Sequence, residues 1–84
     1  MADILLKNFY EINTKFFDIP IYVIYNKPKD YPNHYVARLY DLDKSTSYVV
    51  IDESLESLRR KIPQNLYKQN RDKYDDEVIV ESYF

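Results

Sequence analysis

Apolar residues recur near the start of the chain at Leu5, Phe9, Ile12 and Phe16, with Leu6, Tyr10 and Phe17 beside them. This i, i+4, i+7, i+11 spacing predicts an amphipathic helix. Asp3 stands where it would cap that helix, and Ile19-Pro20 would end it, because a residue before proline avoids the α region. After Pro20 the period changes. Residues 21–25 are continuously apolar and β-prone, which predicts a strand central in its sheet or covered on both faces. A polar stretch, 26–34, interrupts with Pro28 and Pro32. Residues 35–40 then alternate, Tyr35, Ala37 and Leu39 on one side and Val36, Arg38 and Tyr40 on the other. A turn over 41–47 leads to a third strand at 48–51, and the three strands read as an antiparallel meander.

A second helix is predicted over 54–62, where Leu55, Leu58 and Ile62 share a face and Asp52 or Ser54 supplies the cap. Glu53 and Glu56 in its first turn and Arg59, Arg60 and Lys61 in its last suit the helix dipole, and Pro63 stops it. Residues 64–76 are polar, and 78–84 read as a final strand. The predicted fold is α+β in the order αβββαβ: an N-terminal helix, a three-stranded antiparallel meander, a helix and a C-terminal strand. It forms a single sheet with helices packed on one face. The last strand is expected to run parallel beside 21–25. All 84 residues are read as one domain, with 1–20 as helix and linker and 21–84 as the core.

Composition narrows the chemistry. The chain has no glycine, no cysteine and one histidine, against ten tyrosines. Phosphate-cradling loops are built on glycine, thiol chemistry needs cysteine, and a multi-histidine metal site needs more than one imidazole. His34 has no neighbouring nucleophile or orienting partner in the sequence, and the acidic pairs Asp41/Asp43 and Asp52/Glu53 read as turns and caps. The expectation is therefore a chain without enzymatic activity, cofactor or metal. A net charge of −2 disfavours nucleic acid as the partner. No apolar run spans a bilayer and no basic leader opens the chain, so a cytoplasmic location is expected.

Tyrosine is favoured at protein interfaces, although A/T-rich codon usage would also enrich it alongside Phe, Ile, Asn and Lys. The proline-stiffened loop 27–32 presents Asp30 and Tyr31, and the segment before the last strand carries Tyr67, Tyr74, Asp75 and Asp76. These six are the candidate partner-binding residues. The alternative is a nucleic-acid-binding or antitoxin-like regulator using Arg59, Arg60, Lys68 and Arg71 with Tyr67. The broad stripe of the N-terminal helix offers a route to self-association.

The stretch IYVIYNKPKDYPNHYVARLYDL, followed by YVVIDESLESLRRKIP and DDEVIVESYF, resembles small uncharacterised proteins encoded by phages and prophages of low-G+C bacteria. The resemblance covers residues 21–84 and carries no site residues. It implies a binder that inhibits a host protein by occupying its surface, with a CRISPR-type defence nuclease as the target class. A fainter similarity, through Asp52, Ser54, Leu55 and Glu56, is to antitoxins with a short sheet followed by a helix.

Overall fold

The computed structural model describes residues 2–73 and 76–84. Six strands and one short helix follow in order: β1 (Ile4–Leu5), β2 (Pro20–Asn26), β3 (Tyr35–Asp41), β4 (Lys44–Asp52), α1 (Leu55–Arg60), β5 (Lys68–Asn70) and β6 (Ile79–Tyr83). They form one mixed sheet in the order β1-β4-β3-β2-β6-β5. β1 pairs parallel with β4. The other neighbours are antiparallel.

This architecture corrects the αβββαβ expectation. The N-terminal helix does not form; residues 4–5 add a strand, and two single 3-10 turns, Phe9–Glu11 and Thr14–Phe16, follow. The physical reason lies in the residues between the apolar positions. Asn8 and Asn13 each turn a side-chain oxygen onto a backbone N–H two residues on, Tyr10 and Lys15, offering a local alternative to helical bonding. Glu11 closes a capping box on Asn8. Phe, Tyr, Ile, Asn and Thr are also weak helix formers, so nothing local opposes the break. The apolar stripe consequently splits: Phe9 is buried, whereas Phe16 is 87% exposed. Self-association through an N-terminal helix falls with the helix.

Three further corrections follow. The predicted second helix shortens to α1, capped by the Ser54 hydroxyl, which accepts from the Ser57 N–H. Asp52 accepts from the Ser54 N–H one step earlier. A strand, β5, lies within the segment read as loop. The last strand lies beside β2 but runs antiparallel.

One face of the sheet carries the core. Tyr22, Ile24, Ala37, Leu39 and Val50 point to it and pack with Phe9 from the first 3-10 turn and with Leu58 and Ile62 around α1. The burial of Ile24, Leu39, Leu58 and Ile62 contributes about 1.5–3 kcal/mol each in transfer free energy. Phe9 meets Tyr22 edge to face at 4.8 Å between ring centroids. The Phe9 N–H donates to the Lys61 carbonyl and the Tyr10 hydroxyl to the Ile62 carbonyl, so the N-terminal segment and the end of α1 form one covering layer.

The opposite face is covered in part by the loop 27–34. Pro28 and Asp30 line a pocket of about 170 Å³ with Tyr25, Val36 and Arg38. Asp3 ties this loop to the sheet, accepting from the Tyr31 hydroxyl at 2.9 Å and pairing with Arg38 of β3 at 3.0 Å. No helix among the described residues is long and apolar enough to cross a membrane.

Candidate interaction surface

A carboxylate inside a strand must find donors, because burying an unpaired charge is costly. Glu81 is that residue. Its position opposite Ile24 in β6 turns it to the core face, where it is 2% exposed. Arg59 on α1 meets it with a planar fork, Nε to Oε2 and Nη2 to Oε1, both at 2.8 Å. The Tyr83 hydroxyl donates to the same carboxylate, and Lys68 on β5 stands 3.5 Å away. Burial alone would push the Glu81 carboxyl up, but the Arg59 and Tyr83 hydrogen bonds outweigh it and hold the group below its ordinary value. Burial, then the adjacent carboxylate, pushes the Tyr83 phenol up to about 12. A carboxylate so fully donated to is a pin between α1, β5 and β6 and a poor proton acceptor for chemistry.

Around this pin the molecule presents a mixed surface. Between the end of α1 and β6 lies a pocket of about 260 Å³, with Ile62 and Leu66 as apolar walls and Arg59, Gln64, Asn65 and Tyr83 as polar ones. Asn65 holds φ at 68°, a left-handed conformation that asparagine tolerates better than most residues. Beside the pocket the ladder between β5 and β6 continues one residue further. Tyr67 and Phe84 exchange both backbone hydrogen bonds, at 2.8 and 3.0 Å, and their rings lean together at 5.3 Å. Tyr67 is 68% exposed and Phe84 43%.

The pairing fixes which way the backbone of β5 points. Since Tyr67 and Phe84 form a hydrogen-bonded pair, the alternation of an antiparallel ladder turns the N–H and C=O groups of Lys68 and Asn70 away from β6. β5 is the last strand in the sheet and exposed throughout, so among the described residues those groups form an open edge. The other edge, β1, is only two residues long.

The six sequence-selected residues scatter. Tyr67 lies at the open edge. Asp30 is exposed at the rim of the pocket on the opposite face. Tyr31 is half-buried with its hydroxyl committed to Asp3; burial and that carboxylate push its phenol upward. Asp76 shapes the turn into β6, accepting from the N–H of Val78 through its side chain and from Ile79 through its carbonyl. Tyr74 and Asp75 lie outside the described residues. Of the basic set, Arg59 and Lys68 converge on Glu81, and Lys61 pairs with Asp52 at 2.7 Å, while Arg60 and Arg71 are exposed. His34 uses its backbone N–H to close a turn onto Tyr31. Among the described residues no group of three or more His, Cys, Asp or Glu could hold a metal ion.

Gln64, Asn65, Glu81, Tyr83 and Phe84 belong to no site expected from the sequence, and Arg59 was expected only as part of the nucleic-acid-binding alternative. One signal was available: Glu81 interrupts the apolar strand Ile79-Val80-Glu81, and an acid in an otherwise apolar strand implies a cation on the element that covers it. No family model matches the chain, and neither a curated protein nor a solved structure is significantly similar to it.

Proposed function

We propose that this chain is a non-enzymatic binding protein that acts by occupying a surface of another protein, engaging it through the open edge of β5 and the Tyr67–Phe84 pair beside it. The observation that carries this reading is the coincidence of the two. An edge strand with outward N–H and C=O groups can accept a further strand, and neighbouring exposed aromatics supply the apolar contact that such pairing needs. Support for a protein partner over a nucleic acid comes from the basic side chains: Arg59, Lys61 and Lys68 are held by carboxylates of the chain itself, which reduces the field they offer to phosphates. The resemblance to phage-encoded proteins directs the first search for the partner to host defence nucleases of the CRISPR type.

The test is purification of the tagged chain from host lysate beside a Tyr67→Ser/Phe84→Ser variant. The reading expects a stoichiometric protein that the wild type retains and the variant loses. A partner retained equally by both, or no partner across plausible hosts, contradicts it.

A further inference from the structure

Beside the pocket between α1 and β6 the described side chains leave a surplus of positive charge. Glu81 brings one negative charge; Arg59, which lines the pocket, and Lys68, which reaches Glu81 from β5 without lining it, bring two positive ones. The carboxylate occupies Nε and Nη2 of Arg59, yet the Arg59 side chain remains 39% exposed where it lines the pocket. Ile62 and Leu66 form the apolar side of the cavity, and the amide side chains of Gln64 and Asn65 stand at its wall. Gln64 is partly committed, donating to the Ile62 carbonyl at 2.8 Å. A guanidinium already oriented by a buried partner costs little entropy to engage, and its planar fork suits a second carboxylate. At about 260 Å³ the cavity has room for one amino-acid side chain.

From this geometry we infer that the pocket is a receptor for a carboxylate carried on a short aliphatic stem, a glutamate or aspartate side chain of the bound protein. The carboxylate meets Arg59 within the field of Lys68 behind it, while its methylenes lie against Ile62 and Leu66. This rests on the binding reading above and adds a ligand chemistry to it. The strand edge would provide the backbone pairing and the pocket the anchor.

The experiment is a nuclear magnetic resonance titration of the full chain with three probes: N-acetyl-glutamate N-methylamide, the matching glutamine compound, and glutarate. The capped glutamate is expected to give saturable shifts at the Arg59 Nε–H and the Gln64 and Asn65 side-chain amides, with a Kd of roughly 1 mM for a ligand of this size. The glutamine compound should give none. Because Arg59 substitutions also disturb Glu81, the variant of choice is Lys68→Met, which should weaken the capped glutamate about fivefold, as expected for loss of a partly exposed charge. No saturable shift, equal binding of the glutamine compound, an unchanged Kd in Lys68→Met, or binding of glutarate but not of the capped residue each overturns the inference. The titration uses no partner, so its failure is separate from failure of the edge reading, which the Tyr67→Ser/Phe84→Ser purification tests.

Discussion

Leu42 is the residue at which local geometry and side-chain preference conflict most clearly. It opens the two-residue hairpin between β3 and β4 with φ at 57°, a conformation that glycine adopts freely and leucine only with strain. Lys27 and Asn65 show the same sign of φ, and of the three only Asn65 is a residue that tolerates it well. Leu42 is 56% exposed, so little burial is lost when it is replaced. Leu42→Gly is therefore expected to raise unfolding free energy by about 0.5–1 kcal/mol in urea titration, the relief of strain exceeding the entropy glycine adds to the unfolded chain. The tyrosines give a second residue-scale prediction. Burial pushes the Tyr22, Tyr25, Tyr31 and Tyr83 phenols up, Tyr83 to about 12 with the help of Glu81. A phenol whose folded value lies above its unfolded value, near 10, stabilises fully below that pH and loses its contribution as pH rises toward 12. Absorbance titration of tyrosinate should show a late group of phenols, and Tyr83→Phe should remove one of them.

Among the elements, α1 is held to the sheet by two ion pairs of different character. Arg59–Glu81 is buried at the carboxylate, and removing one partner leaves an uncompensated charge. Arg59→Met is expected to cost about 2–3 kcal/mol, with Lys68 limiting the loss, and the double variant Arg59→Met/Glu81→Leu should recover much of it in chemical denaturation. Lys61–Asp52 works at the other side of the helix. Burial pushes the Asp52 carboxyl up, but the Lys61 ammonium, the Ser54 N–H and Ser57 outweigh it and bring it down from 3.8 to about 2. A depressed carboxyl stabilises above its unfolded value, so this contribution, about 1–2 kcal/mol, disappears as pH falls from about 4 through about 2. Lys61→Met should shift the acid unfolding midpoint upward.

How far these elements could be read from sequence depended on whether the pattern had one physical solution. Residues 21–25 and 48–51, short and dense in β-branched and aromatic residues, lie within β2 and β4. The N-terminal stripe at Leu5, Phe9, Ile12 and Phe16 carried helical spacing, but Asn8 and Asn13 bonded locally instead and the tertiary layer used Phe9 alone of those four as a fully buried anchor. β5 was illegible because Lys68-Gln69-Asn70 has no apolar residue; it is a strand only because β6 supplies a partner. For the same reason the candidate surface was visible in part, through Tyr67. The pin beneath it depends on Arg59 and Glu81, 22 positions apart, meeting across the fold.

For the whole molecule, the described residues form a sheet with one face packed, the other partly covered by loop 27–34, and one edge left open beside exposed aromatics. The radius of gyration, 11.8 Å, is close to the roughly 12 Å expected for a globular chain of this length, so β5 is exposed as the margin of a compact fold rather than as an extended arm. Its outward amides at Lys68 and Asn70 report directly on whether another strand adds there. The decisive measurement is amide hydrogen exchange at those two positions, in the free chain and in the complex with the captured partner. Strand addition predicts that both slow by about tenfold or more on binding, since each N–H gains an acceptor and loses water. If both exchange at their free rates while the partner is bound, or if protection appears at β1 or loop 27–34 instead, the β5 edge is not the binding surface.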